Sequence, residues 1–560
     1  MTSPSMTTSA ESGTDHSRSE LSRRGFLGSA GTLATAAIAG SALAGCSDPT
    51  AKTNTESRNV KAALPAYRPV DLVKPDLPGS QVLMPGYYRY PSDPKPAFDR
   101  PPAAGLDSIS IMYTTFLPTP PGPSRNAFYA RLQERIGCQL KISFIPAGDY
   151  GTKFQTMIAG NDLPDICNFP LPTPDEPRVM DKLFADLGPY LSGDNAKDFP
   201  YLANLPTASW KPTVSNGTVY AVPQPRALSG TAMYARLDLI KQAGADPQPG
   251  SYQEFLELLT AVTDPKAQRW AFANPTNMVT HLQMMLGAPN NWSDDGGSFV
   301  NSFGDERSIE AVARTAEMVK KGLFHPDSSS LEYTRIRELF FAGRVALTSD
   351  GYAGWDLFVR EMGGGPEATA KLGLVVEPKA DGGGDARHFS GTGFQGLTVI
   401  KKGLGEQRTR KLLDVLNYLA TPIGSREHLE RKYGVKGIDY TVEDDLPILT
   451  DRGNREFMDI QYVADSQTII GPGIKAGVDY QYAWHQRVTK DLVPDPSIGL
   501  YSDTYSRKGA QLNKMLGDAR LDVVFGRKPL KHLKETYATW RQRGGDDIAG
   551  EYAESKAAAR

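Results

Sequence analysis

Strand-like and helix-like hydrophobic patterns alternate along the chain from about residue 106. Short apolar runs predict buried strands at Ser108–Thr114, Gln139–Ile145 and Asp165–Phe169. Apolar residues spaced three and four apart predict helices between them, over Asn126–Gly137 and Tyr150–Ala159. Because alternating strands and helices are typical of a parallel sheet with right-handed crossovers, we expect an α/β fold. Ligands of such sheets bind beyond the carboxyl ends of the strands.

Helical patterns dominate the later part of the chain. Ser251 and Glu254 form a capping box ahead of an apolar helix face. A second apolar helix face ends at Gly322, and a leucine-rich helix ends before Pro422. No internal repeat is visible in the sequence, so the later helices are not a second copy of the α/β segment at residues 106–169.

The first 46 residues have the pattern of an export signal. Arg23 and Arg24 stand in a Ser-Arg-Arg-Gly-Phe-Leu segment that resembles the twin-arginine signal. Residues 25–45 carry no charge and are long enough to cross a bilayer, so an uncleaved anchor is one interpretation. The stretch is diluted by Gly, Ser and Thr, and it ends in Leu-Ala-Gly-Cys, which resembles a lipobox. We therefore interpret residues 1–45 as a signal peptide and Cys46 as the lipidated residue, on the extracytoplasmic face of the membrane.

A proline-rich segment follows the signal. Ten prolines lie between Pro65 and Pro102, and this density favours semi-extended backbone. We interpret residues 46–105 as a tether that holds the body off the membrane. Its tyrosines, Tyr87, Tyr88 and Tyr90, indicate that part of it packs against the body.

Composition and charge narrow the class of protein. The chain has 560 residues, of which 40% are hydrophobic and 22% charged, as in ordinary soluble multidomain proteins. Lys and Arg total 62 and Asp and Glu total 64, so the net charge is −2, and we expect no nucleic-acid partner. Three cysteines are too few for a disulfide scaffold, and whether Cys138 and Cys167 pair stays open.

Sequence motifs of catalysis and metal binding are missing. There is no G-x-S-x-G, H-E-x-x-H or P-loop motif, and the seven histidines are scattered. Residues 391–396 match G-x-G-x-x-G, but strand-like Leu397–Ile400 follows where a dinucleotide site needs a helix. Residues 294–297 lack the spaced oxygen ligands of a calcium loop. We therefore predict a protein that is not an enzyme and has no cofactor or metal, although a glycosidase's two carboxylates cannot be recognised from sequence.

Five segments, in this order, resemble the extracellular solute-binding proteins of ABC importers, and more narrowly their large oligosaccharide-binding lipoprotein branch. The segments are Met157–Ile166, Gly217–Pro223 with its G-x-x-Y-x-x-P turn, Met233–Leu239, Phe341–Leu347 and Tyr433–Tyr440. Their order and spacing across residues 106–560 carry the resemblance. It implies an α/β periplasmic-binding-protein-like fold with two lobes, a hinge and a ligand cleft between the lobes.

The resemblance also implies lobe boundaries and a function. Lobe I would comprise residues 106–231 plus about 397–440, and lobe II residues 232–396 plus about 441–560. The cleft would capture a carbohydrate, an oligosaccharide or another polyhydroxylated solute, and the closed protein would deliver it to the transmembrane subunits of an ABC permease. We expect a monomer that the lipid alone holds at the membrane. A secreted carbohydrate-active hydrolase and a non-transport sensing or scaffold lipoprotein stay open as alternatives.

Aromatic side chains are candidates for the apolar faces of sugar rings, although most large aromatics belong to protein cores. Trp355 follows a strand on a glycine-flanked loop, where the family places a stacking aromatic, and Tyr352 is its substitute. Trp484 lies in an aromatic-rich stretch, and Tyr113 ends the first predicted strand. A core position is the alternative for each of them.

Polar candidates for sugar hydroxyls lie at strand ends and lobe crossings. Asn168 ends the third predicted strand, Arg226 follows the G-x-x-Y-x-x-P turn, and Gln395 lies at the second crossing. Asp350 directly precedes the loop of Tyr352. Arg226 could instead brace the lobes through a salt bridge, and Asp350 could cap the turn that follows it.

Overall fold

Two β-sheets organise the chain in the computed structural model, which describes residues 56–558 apart from 60, 71, 444, 459, 461–467 and 471–474. The predicted export signal and Cys46 lie outside the described residues. Eight strands build the two sheets: β1 (Ser108–Thr115), β2 (Gln139–Pro146), β3 (Ile166–Phe169), β4 (Ala221–Pro225), β5 (Thr231–Arg236), β6 (Leu347–Gly351), β7 (Leu372–Val375) and β8 (Phe394–Ile400).

The larger sheet has the strand order β2-β1-β3-β8-β4. Strands β1, β2 and β3 are parallel, whereas β8 runs antiparallel to both of its neighbours. The carboxyl ends of β1 to β4 and the start of β8 therefore lie at one edge of the sheet.

The smaller sheet has the order β6-β5-β7, with both outer strands antiparallel to β5. The chain passes from β4 to β5 through residues 226–230 and returns from β7 to β8 through residues 376–393. These two segments are called the first and second crossings below. Each sheet is the centre of one lobe, so the predicted two-lobe α/β fold is confirmed.

Helices pack around both sheets. Those of eight residues or more within the described residues are Ala127–Ile136, Ala147–Ala159, Glu176–Leu183, Tyr252–Val262, Pro275–Leu286, Glu306–Lys320, Tyr333–Phe341, Glu406–Leu419, Arg426–Tyr433, Lys475–Val488, Asp503–Val524, Lys531–Trp540 and Asp546–Ala558. The predicted capping at Ser251 is present, since its hydroxyl accepts from the backbone N–H of Glu254 at 3.2 Å. In the described part of the chain, none of these helices is apolar over a length sufficient to cross a membrane.

The core of lobe I extends further along the chain than its predicted boundary at about residue 440. Ile109 and Ile111 of β1 pack with Leu412 and Leu416 from helix Glu406–Leu419. Phe457, Met458 and Ile460 are buried in the same cluster. We therefore propose that the chain leaves lobe I for the last time after residue 460.

The second half of the predicted tether is built into the body. Strand residues Gly86–Tyr87 pair in parallel with Ile469–Ile470, and Met84, Tyr90 and Ala103 are buried. The hydroxyl of Tyr90 lies 2.7 Å from Nδ1 of His428. Hydrophobic burial therefore fixes this part of the proline-rich segment to the folded protein.

Tyr90→Ala should lower the free energy of unfolding by about 3–5 kcal/mol, because it empties a buried aromatic site. Tyr67→Ala, which removes a side chain 46% exposed in the same segment, should change it by no more than about 0.5 kcal/mol. Chemical denaturation of both variants measures the difference. Equal stability of the two variants would mean that the whole segment is a solvated tether.

Candidate functional site

The cleft between the two sheets contains a cavity of about 340 Å³. Lobe I contributes Phe116 after β1, and Phe394 and Gln395 at the start of β8. Lobe II contributes Thr231 at the start of β5 and residues 350–354 at the end of β6. The cavity therefore lies where strand ends of both sheets face each other, as open α/β sheets place their ligands.

Four of the eight predicted ligand-binding residues line this cavity: Arg226, Gln395, Asp350 and Tyr352. The guanidinium of Arg226 donates to Oε1 of Gln395 and, at 2.8 Å, to the carbonyl of Pro225. The two side chains thus form one polar group at the point where both crossings join lobe I.

Asp350 forms the polar part of the opposite wall. Its carboxylate accepts from the hydroxyl of Tyr333 at 2.6 Å and from the backbone N–H of Gly351 at 2.7 Å. The Nε atom of Arg337 lies 4.0 Å away. Burial raises the pKa of Asp350 above its usual range despite these partners. Asp350 therefore faces the cavity, and its carboxylate accepts from no backbone N–H of the turn Tyr352–Gly354, so the capping alternative is not what the structure shows.

Among the lining residues that sequence reasoning missed are Phe116, Tyr333 and Arg337. Tyr333 and Arg337 lie four residues apart in helix Tyr333–Phe341, so they share one helix face. The four-residue spacing of Tyr333 and Arg337, just ahead of the Phe341–Leu347 segment, is the sequence signal that could have identified them. Tyr333 is 47% exposed, whereas Phe116 is half-buried, so the ring of Tyr333 is the more open of the two.

The predicted aromatic platforms are packed in the interior. Trp355 is 2% exposed and lies 6.3 Å, between ring centroids, from both Tyr234 and Tyr480. Trp484 donates to the carbonyl of Val375 at 3.3 Å and stacks on Tyr352 at 5.3 Å. These contacts cover the ring faces, so Trp355 and Trp484 have core positions in this conformation and their ligand role stays a prediction.

Tyr113 and Asn168 are also outside the cavity. Tyr113 is fully buried against Phe144, with 5.3 Å between ring centroids. Asn168 accepts through Oδ1 from the backbone N–H of Thr114 at 2.9 Å and so joins β3 to β1. Both residues stabilise the edge of the large sheet, and their contact with a ligand stays a prediction.

A second cavity, of about 600 Å³, shares Thr392 and Phe394 with the first. Its lobe I wall includes Leu171, Thr173, Glu176 and Lys211, and its lobe II wall includes Asn291, Asn301, Phe303, Tyr501 and Arg520. Burial raises the pKa of Glu176 to about 7. The interlobe cleft therefore has two compartments that meet at the second crossing.

A buried ionic cluster lies where the crossings meet lobe II. The carboxylate of Glu377 lies 2.6 Å from Nδ1 of His281 and 3.6 Å from Nδ1 of His388. Burial alone would raise the pKa of Glu377, but the hydrogen bond to His281 and the electrostatic interaction with the imidazoles of His281 and His388 hold this pKa well below its usual range. His388 donates through Nε2 to the carbonyl of Ser229 at 2.7 Å, so the cluster connects the second crossing to the first.

The remaining sequence candidates form no site in the described residues. Cys138 and Cys167 carry free thiols. Asp294, from the predicted non-calcium loop, pairs with Lys556 and accepts from the backbone N–H of Gly297 at 2.8 Å. Across the part of the chain that the structure describes, no group of three or more His, Cys, Asp or Glu side chains is arranged to hold a metal.

Two lobes, chain segments that cross between them and a cleft between the lobes define a protein of the two-lobe binding-protein class. Residues 119–405 match the family model of bacterial extracellular solute-binding proteins. This match covers more than half of the chain. The chain therefore belongs to the bacterial extracellular solute-binding protein family, as the order of its motifs predicted.

Individual relatives agree with this assignment. Lipoprotein LipO of Bacillus subtilis is 22% identical over 468 residues, which cover 79% of this chain and 91% of LipO. The polygalacturonan/rhamnogalacturonan-binding protein YtcQ of the same organism is 20% identical over 453 residues, covering 77% of this chain and 88% of YtcQ.

Solved structures show the same fold. The N-glycan transport solute-binding protein NgtS from Streptococcus pneumoniae superposes with a TM-score of 0.61 at 14% identity, covering 81% of this chain and 99% of NgtS. The alginate-binding protein AlgQ2 superposes with a TM-score of 0.58 at 15% identity, covering 83% of this chain and all of AlgQ2. At this identity the likeness shows the fold alone.

Trp355→Ala should lower the free energy of unfolding by about 3–5 kcal/mol, because the indole is packed on its neighbours. Val300→Ala, at a side chain of lobe II that is 45% exposed, should change it by no more than about 0.5 kcal/mol. Denaturant unfolding of the two variants provides the test. Normal stability of Trp355→Ala, combined with weakened saccharide binding, would show that its ring contacts the ligand in another conformation.

Proposed function

We propose that this protein captures an oligosaccharide in the interlobe cleft and delivers it to an ABC permease. The observation that carries the proposal is the cavity of about 340 Å³ lined by both lobes. Arg226, Gln395 and Asp350 provide planar polar groups suited to pairs of sugar hydroxyls, and Phe116 and Tyr333 provide aromatic surface.

The names of similar proteins support a carbohydrate ligand. One relative is described as binding polygalacturonan and rhamnogalacturonan. Two proteins of the same fold are described in complex with cycloalternan and with Man5GlcNAc, at TM-scores of 0.53 and 0.56. These are binding proteins, so we propose that this chain also binds its saccharide without turning it over.

The mechanism follows from the two-lobe architecture. A ligand in the cleft contacts Arg226 and Gln395 from one lobe and Asp350 from the other, so it binds the closed conformation more tightly than the open one. The difference between the binding free energies of the closed and open conformations shifts the population of protein molecules toward the closed conformation. The closed form is then the conformation that a permease distinguishes from the empty protein.

We further propose that the protein acts as a lipid-anchored monomer outside the cytoplasm. The twin-arginine segment at Arg23 and Arg24 would direct export, and lipidation of Cys46 would retain the mature protein at the membrane. The family assignment supports an extracytoplasmic location.

Gln395→Ala and Asp350→Asn should each weaken saccharide binding by roughly 2- to 150-fold, because a lost hydrogen bond costs about 0.5–1.5 kcal/mol and one to a charged group about 1.5–3 kcal/mol. Gln253→Ala, at an exposed helix position of lobe II, is the matched control and should bind normally. A thermal-shift screen against mono- and oligosaccharides first identifies the ligand, and isothermal titration calorimetry then measures each Kd. Unchanged affinity in both cleft variants would exclude this cavity as the site.

Cys46→Ala should release the protein from the membrane fraction, and replacing Arg23 and Arg24 by Lys should block export. Fractionation followed by a carbonate wash and immunoblotting measures both effects. If the Cys46→Ala protein stays in the washed membranes, residues 25–45 are an uncleaved anchor instead.

A further inference from the structure

Two cations face the second cavity of the cleft from opposite lobes. Lys211 directly follows Trp210, which is buried in the core of lobe I. Arg520 directly follows Ala519, which is buried in the core of lobe II. Among the described residues, neither cation forms an ion pair with an acidic side chain.

Arg520 is held in a desolvated position. Its guanidinium lies over the ring of Phe303, 5.0 Å from the ring centroid, and its Nε atom is buried without a hydrogen-bond partner. Burial lowers the pKa of Arg520, and no nearby carboxylate offsets this effect. A half-buried cation without a carboxylate partner costs folding free energy, which an anionic ligand would offset on binding.

The acidic residues of the cavity do not neutralise the two cations. Asp495 accepts through Oδ1 from Ser497, at 2.9 Å from its backbone N–H and 2.7 Å from its hydroxyl. Its Oδ2 accepts from Nδ2 of Asn291 at 3.0 Å. Glu176 is partly protonated at neutral pH, because burial raises its pKa to about 7. The remaining residues that line the cavity are uncharged.

We propose that this cavity binds an acidic sugar unit, with Lys211 and Arg520 closing on its anionic group from the two lobes. A volume of about 600 Å³ suits a sugar unit. The planar guanidinium can hold a carboxylate through two parallel hydrogen bonds, and the ammonium adds a point charge. Asn301, Tyr501 and Asn513 offer polar groups for the hydroxyls of the same unit. This inference rests on the proposed function and specifies its substrate class as anionic saccharides.

Calorimetric titration of the full-length protein with trigalacturonate and with its fully methyl-esterified form tests the proposal. The two probes differ only in the charge and the ester groups of the carboxylates. We expect the acid to bind at least about tenfold more tightly than the ester, since each lost charged hydrogen bond removes that much affinity. A second titration compares a sulfated disaccharide with its unsulfated form. Tighter binding of the sulfated form would support the proposal and show that the cavity also accepts sulfate as the anionic group.

Arg520→Gln and Lys211→Gln should each reduce the preference for the acid about tenfold and leave the binding of the ester unchanged. Lys153→Gln, at an exposed position on helix Ala147–Ala159 of lobe I, is the matched control and should keep the preference. Melting temperatures verify that each variant is folded. Because Lys211 is exposed, its variant keeps the test valid if Arg520→Gln does not fold.

Equal binding of acid and ester, or a preference that survives both substitutions, would overturn the inference. Binding of neutral oligosaccharides without any binding of the acids would also overturn it, while leaving the proposed function intact. If no saccharide of either kind binds, the proposed function fails together with the inference.

Discussion

The carboxylate of Glu377 lies where both crossings meet the sheet of lobe II, and the geometry of the cleft depends on it. Its two histidine partners extend the contact in opposite directions: His281 reaches the hydroxyl of Ser349 in β6, and His388 reaches the backbone of Ser229. The whole group is buried, so each hydrogen bond lost would leave an unpaired polar or charged atom inside the protein. The free-energy cost of losing these hydrogen bonds holds both crossings in place relative to β6.

The position of the crossings determines which side chains reach the cleft. Arg226 follows the last residue of β4, and Gln395 lies one residue into β8, so both project at the hinge. Asp350 lies at the end of β6, one residue after Ser349, which the buried cluster holds. The same buried group that stabilises the hinge therefore orients polar residues of both lobes toward a shared ligand.

Residues at strand ends were predictable from the sequence, whereas the orientation of aromatic rings was not. A strand-like run followed by a polar residue identifies Asp350, because the end of a strand must leave the sheet. The family resemblance identifies Arg226, after the G-x-x-Y-x-x-P turn, and Gln395, at the second crossing. Trp355 follows the same kind of strand, but its ring turns inward, onto Tyr234. An indole gains free energy from burial wherever neighbouring chain segments leave space, and the sequence does not show that space.

The hydrophobic pattern along this chain was sufficient to predict alternating strands and helices, since periodicity is a local property of neighbouring residues. The order of its family motifs then predicted two lobes. Only the tertiary structure decided that Tyr333 hydrogen-bonds Asp350, and that Lys211 and Arg520 face one cavity although 309 positions separate them. It also decided that Tyr90 of the proline-rich segment packs beside His428. Such pairings depend on how distant segments bury their surfaces together, and local patterns carry no information about partners so far apart.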